Sequence, residues 1–370
     1  MRSLIWRPRN LVAIGILALF YLIYLAHLRS HQHDDHLTNV PYAGPQVALS
    51  PEGQHGFLPL RDAENFCQHR RWDVYSTRDR RRKVYDMFLF NTELDWAEIR
   101  FNELNEQVDY FVVLESAQTF QETPKPLHFK EHIAQFQPFL SKIIHQVVDF
   151  THANVKKGDT WGYEHLSRNA LLDQVLASLT GDQAPAQGDV LVISDIDEVP
   201  RLNTLTALRN CAFPPRVTLM SHFYYYSFQW LNRKPQWPHP QATYYAGPKD
   251  TIKPEDLRNN KHQSYFQLFN AAWHCSSCFS TMAGLINKIE SFSHKAYNHP
   301  YILNSTKLLE KIRWGEDLFE RKEYEGKEEA FDRIDGNKDI PSYLMKEENR
   351  RKFAYLLDRD LPNANFQDLG

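Results

Sequence analysis

The sequence is poor in glycine, poor in cysteine and nearly balanced in charge. Its 370 residues include only 14 glycines and 4 cysteines, which excludes a collagen and a miniprotein held together by disulfides. Lys and Arg total 43 against 46 Asp and Glu, so the chain has no basic excess with which to bind nucleic acid. Because 42% of the residues are apolar, disorder along the whole chain is also excluded, and a large globular domain is expected.

Long hydrophobic runs are scarce as well, and the one that stands out lies near the N-terminus. A mean hydropathy of −0.56 argues against a polytopic membrane protein, yet residues 11–28 contain no Asp, Glu, Lys or Arg and are long enough to span a hydrocarbon core of about 30 Å. Arg2, Arg7 and Arg9 precede the run, so the positive-inside rule predicts a cytosolic tail at 1–10, an anchor and a luminal body. A cleaved signal peptide is the alternative, which the lack of a small-x-small site after the run disfavours.

The segment after the anchor has the composition of a tether. Residues 29–80 are rich in His, Pro, Gly and Gln and show no sustained period, which predicts a stem. The basic run RDRRRK at 78–83 is interpreted as a solvated linker end, with a dibasic processing site as the alternative. The four cysteines suit an oxidising compartment and are interpreted as structural disulfides, although the sequence leaves all three pairings open.

Beyond the stem, apolar strand-like runs alternate with helical ones from residue 81 to about 360, and 361–370 is expected to be a C-terminal tail. Strands are predicted at 84–90, 108–115, 142–149, 189–194 and 217–228, and helices at 95–107, 130–140, 163–179 and 347–357. This alternation predicts an α/β fold with parallel βαβ units, in which ligands bind at the carboxyl ends of the strands.

The sharpest chemical signal is the segment VLVISDIDEVPR, in which an apolar strand runs into three carboxylates. Asp195, Asp197 and Glu198 repel one another at a strand end, and a divalent cation such as Mg²⁺ or Mn²⁺ relieves that repulsion. The alternative to a metal site is an acidic turn whose side chains only cap the backbone. An Asp-x-Asp at this place is typical both of nucleotide-sugar glycosyltransferases and of haloacid-dehalogenase-like phosphatases. In the phosphatases the motif ends the first strand of the domain, whereas at least three strand-like segments precede it here.

Five ordered segments carry a resemblance to a known family. VYDMFLFNTELDWAEIRFNELNEQVDYFVVLES, TPKPLHF, DVLVISDIDEVPR, FYYYSFQW and AAWHCSSCF together resemble glycosyltransferase family 17, from about Val84 to about Arg359. The resemblance implies a GT-A-like, Rossmann-like luminal domain in a single-pass type II Golgi membrane protein. It also implies an inverting transfer, dependent on Mn²⁺ or Mg²⁺, of N-acetylglucosamine from UDP-N-acetylglucosamine to a glycan, expected to be an N-glycan mannose. A membrane-tethered lectin without catalysis is the alternative, which the intact acidic motif disfavours.

The resemblance also implies the residues of the donor side. The metal candidates are Asp195, Asp197 and His274, and the donor-binding candidates are Glu115, Arg168, Asn169 and Glu198. Arg168 is expected to clamp a phosphate through two parallel hydrogen bonds. For Glu115 the alternative is an ion pair with a basic neighbour, and for His274 it is burial beside a disulfide.

Candidates on the acceptor side come from the C-terminal half of the chain. An inverting transfer needs a carboxylate that removes the proton of the acceptor hydroxyl, and the segment RWGEDLF supplies Asp317 and, second to it, Glu316. The alternative is a helix N-terminus whose early acids complement the helix dipole. Tyr226 and Trp230 in the run YYYSFQW are expected to contact the acceptor sugar, with core packing as the alternative.

Overall fold

The computed structural model of the chain describes residues 54–369, apart from 151–153, 260–265, 292, 295–296 and 322–330. The predicted cytosolic tail, the predicted anchor at 11–28 and residues 29–53 of the predicted stem lie outside the described residues. Among the helices that are described, none combines the length and the apolar character needed to cross a membrane.

The described residues form a mixed α/β domain whose main elements are numbered in chain order. The helices are α1 (Leu60–Gln68), α2 (Leu94–Leu104), α3 (His128–His132), α4 (Thr160–Ala170), α5 (Leu202–Asn210), α6 (Pro254–Arg258), α7 (Met282–Ser291), α8 (Ser305–Trp314) and α9 (Glu347–Lys352). The strands are β1 (Asp73–Val74), β2 (Val84–Phe90), β3 (Tyr110–Glu115), β4 (Ile143–Val147), β5 (Val190–Asp195), β6 (Glu198–Pro200), β7 (Cys211–Ala212), β8 (Val217–Tyr225), β9 (Ser227–Asn232), β10 (Gln241–Tyr244), β11 (Phe266–Ser276) and β12 (Phe331–Arg333).

The first half of the sheet is parallel, as the sequence predicts. Its strands lie in the order β5-β2-β3-β4 and all run in the same direction. Because β3 and β4 follow on one side of β2 while β5 returns to its other side, the strand order reverses between β2 and β5. Such a reversal opens a crevice outside the carboxyl ends of the strands.

Helices cover both faces of the parallel half because alternate residues of a strand point to opposite sides. On one face, Phe88 of β2 packs in an apolar cluster with Trp96 and Phe101 of α2. On the other face, Met87 packs in a second cluster with Leu171, which directly follows α4. The parallel strands therefore lie in the middle of a three-layered core.

Four predicted elements are divided in the structure. The helix expected at 163–179 continues from α4 into a π-helical stretch at Leu171–Leu176, and the one expected at 347–357 consists of α9 and a 3₁₀ turn at Ala354–Leu356. The helix expected at 130–140 consists of the end of α3 and a 3₁₀ turn, since Pro138 has no N–H with which to continue an α-helix. The strand expected at 217–228 is split into β8 and β9 at Tyr226, whose positive φ of 67° reverses the chain.

That reversal begins the antiparallel half of the sheet. There β8 pairs with β9 and β10, β10 also pairs with β5, and β9 pairs with β12. Strand β11 runs parallel to β8 and antiparallel to β6. The α/β class is therefore confirmed, with a mixed sheet in place of a wholly parallel one.

The four cysteines form two disulfides, as the sequence predicts. Cys67 of α1 is joined to Cys211 of β7, and Cys275 is joined to Cys278 at the end of β11. The first bond links residues 144 positions apart in the sequence, which is the situation in which a cross-link most restricts the unfolded chain. It also fixes the segment before β2 to the rest of the domain.

Both ends of the described chain belong to the domain, which corrects the expected stem and tail. Leu58 is buried, and Arg82 of the basic run is 2% exposed and donates hydrogen bonds to four backbone carbonyls. The run is therefore not a solvated linker end. At the other end, Ala364 and Phe366 are buried, and the guanidinium of Arg359 donates to the carbonyl of the residue that reverses the chain between β8 and β9.

A buried carboxylate, Asp339, ties the C-terminal region to the sheet. Arg201 contacts both of its oxygens, at 2.6 and 2.9 Å. Further hydrogen bonds come from His222, Tyr224 and Trp273. Burial opposes the ionised form, but the hydrogen bond from His222 and the charge of Arg201 outweigh it and hold the pKa of Asp339 well below its usual range.

Asp339→Asn is expected to lower the free energy of unfolding by about 3–5 kcal/mol at pH 7, since it removes the charged partner of a buried arginine. A carboxylate whose pKa is depressed on folding stabilises above its unfolded pKa of about 4, so the deficit shrinks as the pH falls below that value. Denaturant titrations at pH 7 and pH 3 measure both effects. The control is Asp332→Asn, which removes a half-exposed pair with Arg233 and is expected to cost less than about 1 kcal/mol. A loss no larger than that of the control would contradict the assignment.

Candidate active site

A cavity of about 530 Å³ lies where the strand order reverses between β2 and β5. The carboxyl ends of these strands line it with residues 89–91 and 195–197. Its other walls come from α4, α7, the connection between β9 and β10, and the end of β11. The expectation that ligands bind at the carboxyl ends of the strands therefore agrees with the position of this cavity.

The three carboxylates of the acidic motif lie in different surroundings. Glu198 is fully buried and accepts hydrogen bonds from Arg258 at 2.7 Å, from the backbone N–H of Asp195 at 2.9 Å and from the indole of Trp237 at 3.0 Å. Burial disfavours its charge, but Arg258 more than compensates and lowers the pKa of Glu198 well below its usual range. Glu198 was expected to bind the donor; in the structure it instead fixes the turn and does not line the cavity.

Asp195 and Asp197 both line the cavity. The carboxylate of Asp195 is 41% exposed and lies 3.0 Å from Arg258 and 3.5 Å from Arg168. Burial opposes its charge, and Arg258 reverses that effect and lowers the pKa of Asp195. The carboxylate of Asp197 accepts no hydrogen bond from the described residues, and Nε2 of His274 lies 3.8 Å from its Oδ2. Burial consequently raises the pKa of Asp197, which makes this the carboxylate with most to gain from a ligand.

The acidic pair fits a metal ion without forming a closed metal site. Over the described residues, no group of three or more His, Cys, Asp or Glu side chains is placed to hold a metal ion. The expected set of Asp195, Asp197 and His274 therefore does not converge. Two carboxylates that face one cavity, one of them without a hydrogen-bond donor among the described residues, still suit a hard cation whose remaining ligands are substrate and water oxygens.

Cationic side chains from α4 and α7 line the cavity beside the acidic pair. Arg168 of α4 already contacts the carboxylates of Glu164 and Glu255. Lys288 of α7 lies 2.6 Å from Glu93, and although burial opposes its charge, Glu93 raises the pKa of Lys288 above its usual range. Arg168 thus occupies the expected place at the cavity, but as part of a carboxylate network and not as an open bidentate clamp.

Two expected donor-binding residues lie away from the cavity. Glu115 is 1% exposed and accepts hydrogen bonds from the backbone N–H groups of Phe129 at 2.8 Å and Lys130 at 3.2 Å, at the start of α3. The side chain of Asn169 accepts from the N–H of Glu255 at the start of α6. Both side chains therefore hold helices in place, because their oxygens satisfy backbone donors that a helix start leaves unpaired.

The two aromatic residues expected to contact the acceptor are core residues. Tyr226 is fully buried and its hydroxyl donates to the carbonyl of Glu316 at 2.7 Å. Trp230 is 6% exposed and packs in an apolar cluster with residues of α7 and α8. The packing alternative therefore describes both, and other aromatic side chains, Phe223 and Trp237 among them, line the cavity.

The two acids expected to serve as general base do not line the cavity either. Asp317 is 7% exposed, and its oxygens accept hydrogen bonds from the N–H and the side chain of Arg321 at 2.7 and 3.0 Å. Glu316 is exposed, outside the cavity. Asp317 therefore orients Arg321, which does line the cavity, and the described geometry brings neither acid to it.

Several lining residues carry no motif that sequence reasoning could use. They are Glu93, Trp161, Glu164, Trp237 and Lys288. They come from several separate parts of the chain, and Glu and Lys side chains outside a motif are normally solvated. The exception is the tryptophan in the Pro- and Lys-rich connection after β9, since a large aromatic side chain in a polar connection is a signal for binding.

Comparisons with known proteins indicate the family of the chain. The model of glycosyltransferase family 17 matches residues 19–361. The human beta-1,4-mannosyl-glycoprotein 4-beta-N-acetylglucosaminyltransferase is 24% identical over 322 residues, which cover 75% of this chain and 55% of that protein. The rat protein of the same name is 31% identical over 121 residues, or 32% of this chain and 22% of that protein. The match with this chain thus spans about half the length of the human relative. Because the family model covers most of the sequence, the resemblance is confirmed and the chain belongs to glycosyltransferase family 17.

Proposed function

We propose that this chain is a hexosyltransferase that moves N-acetylglucosamine from UDP-N-acetylglucosamine to a mannose hydroxyl of an N-glycan, with inversion at the transferred sugar carbon. The observation that carries the proposal is the pair Asp195 and Asp197 in the crevice between β2 and β5. Crevices at such reversals of strand order take nucleotides in α/β sheets, which supports a GT-A-like arrangement with the nucleotide above the parallel half. The sugar and the acceptor are taken from the names of the human and rat relatives.

A divalent cation, Mn²⁺ or Mg²⁺, is part of the proposal. Asp197 and Asp195 would hold it, since the first accepts no hydrogen bond from the described residues and the second keeps its carboxylate 41% exposed. When bound, such a cation neutralises the charge that develops on the departing diphosphate.

The protein's own cations support the same task. Arg168 and Lys288 line the cavity, and each is held by a carboxylate, Glu164 and Glu93 respectively. An anionic diphosphate would therefore meet cations that are already oriented. Oriented charges stabilise a developing charge without the cost of reorganisation that mobile surface lysines would incur.

We also propose that residues 11–28 anchor the enzyme in a Golgi membrane with the domain in the lumen. The arginines before this run support a cytosolic N-terminus. The two disulfides support an oxidising compartment, since structural disulfides are rare in the cytosol.

The function is tested with the full-length protein in detergent, a panel of UDP-sugars and a biantennary N-glycan. We expect UDP release and transfer with UDP-N-acetylglucosamine, loss of both on chelation and recovery with Mn²⁺. Absence of transfer with every UDP-sugar would contradict the proposal. Release of phosphate from small phosphoesters through a phospho-enzyme at Asp195 would favour the phosphatase alternative instead.

Asp197→Asn separates activity from stability. We expect the turnover number to fall by about 10²–10³-fold, the scale on which enzymes lose rate when an electrostatic group at the reacting centre is removed. The melting temperature should stay the same or rise, because the substitution removes a buried charge whose pKa is raised by desolvation. Activity assays and thermal melts measure the two, with the exposed Asp250→Asn as a control that changes neither. A fall in melting temperature parallel to the fall in activity would indicate a structural role instead.

A further inference from the structure

Trp237 is a rigid aromatic side chain at the edge of the cavity. It lies in the connection between β9 and β10, and its backbone exchanges two hydrogen bonds with Ser221 of β8, both 2.9 Å long. Its indole N–H donates to Glu198 at 3.0 Å. The residue is nevertheless 37% exposed, and it lines the cavity.

Ring packing within the wall of the cavity fixes the same side chain, since Phe223 and His274 line that cavity too. The Phe223 ring stacks on it with centroids 5.7 Å apart and planes 27° apart. The ring of His274 lies 5.4 Å away, tilted by 39°. The ring of His239 packs against it as well, with centroids 5.2 Å apart. An aromatic side chain held by a hydrogen bond and by three neighbouring rings has little freedom left to lose, so binding a ligand to the part that stays exposed carries a small entropic cost.

The same contacts set the position of Trp237 relative to the acidic motif. Glu198, which accepts from the indole, also accepts from the backbone N–H of Asp195. One carboxylate therefore fixes both the aromatic ring and the turn that carries the acidic pair. The connection that bears Trp237 belongs to the antiparallel half of the sheet, on the other side of β5 from the parallel strands β2 and β3.

The chemistry of the exposed part of Trp237 and its neighbours suits a sugar ring. An aromatic face is apolar and favours the C–H face of a pyranose, while Asn232 at the end of β9 and Lys234 of the same connection line the cavity with polar groups suited to hydroxyls. The nucleotide is expected above the parallel strands, so a ring on the antiparallel side belongs to the acceptor.

We propose that Trp237 is the surface on which a pyranose ring of the acceptor glycan stacks, and that it governs acceptor binding without contributing to donor binding. The inference rests on the proposed function, because it assigns to that reaction the part of the cavity that takes the acceptor.

The test compares Trp237→Ala and Trp237→Phe in the full-length protein. With a biantennary N-glycan, Trp237→Ala is expected to raise the acceptor KM by roughly tenfold or more, the scale of losing one stacked ring. Trp237→Phe keeps an aromatic face and should raise that KM by less than about threefold. Both variants lose the indole N–H that donates to Glu198, so the KM for UDP-N-acetylglucosamine and the slow release of UDP without acceptor should be the same in the two. Trp314→Ala, at a 65% exposed tryptophan outside the cavity, is the matched control.

An unchanged acceptor KM in Trp237→Ala, or an equal rise in the donor KM, overturns the inference while leaving the proposed function intact. Should the wild type transfer no sugar, the proposed function fails and the stacking is measured directly by titrating the N-glycan and, separately, UDP into wild type and variant. Glycan binding that Trp237→Ala weakens supports the inference. No glycan binding by the wild type, or a loss confined to UDP, overturns it.

Discussion

The acidic turn of the candidate site depends on one buried arginine. Arg100 of α2 forms a two-point ion pair with Asp86 of β2, at 2.6 and 2.5 Å, and no part of its side chain is exposed. Its Nη1 also donates to the backbone carbonyls of Asp195, Ile196 and Glu198. A buried guanidinium must satisfy all its donors, so α2, β2 and the turn after β5 can adopt only one relative arrangement.

That constraint explains how three neighbouring carboxylates acquire different properties. Because Arg100 fixes the turn, the three carboxylates meet different neighbours. Glu198 faces Arg258 in the interior, and Asp195 lies between Arg258 and Arg168. Asp197 faces the cavity without a hydrogen-bond donor from the described residues. Arginines thus pair with the carboxylates of Asp195 and Glu198, and the carboxylate of Asp197 contacts no arginine among the described residues. Arg258 and Arg168 thus relieve the repulsion between Asp195 and Glu198.

Much of the framework could be predicted from the sequence, because it follows from local pattern. The apolar runs that form β2, β3, β4 and β5 were recognisable, and their alternation with helices required parallel pairing. The place of the acidic pair at the carboxyl end of β5 followed from the same reasoning. The structure places the side chains of Glu115, Tyr226, Trp230 and Asp317 away from the cavity for one shared reason. Each has a residue type suited to binding, but its polar atoms are already bonded or its ring is enclosed by packing. The partner can be distant in sequence, as the carbonyl of Glu316 is from Tyr226, or four residues away, as Arg321 is from Asp317.

The sequence by itself determined the α/β class, the family and the motif that faces the cavity, since these depend on periodicity and on residues adjacent in the chain. Only the tertiary structure decided which two of the three carboxylates line the cavity and which aromatic side chains line it. It also decided that the segment before β2 and the residues after 360 belong to the domain. The physical reason is that burial and ion pairing depend on side chains brought together from far apart, such as Arg100 with Asp195 and Glu198 with Trp237.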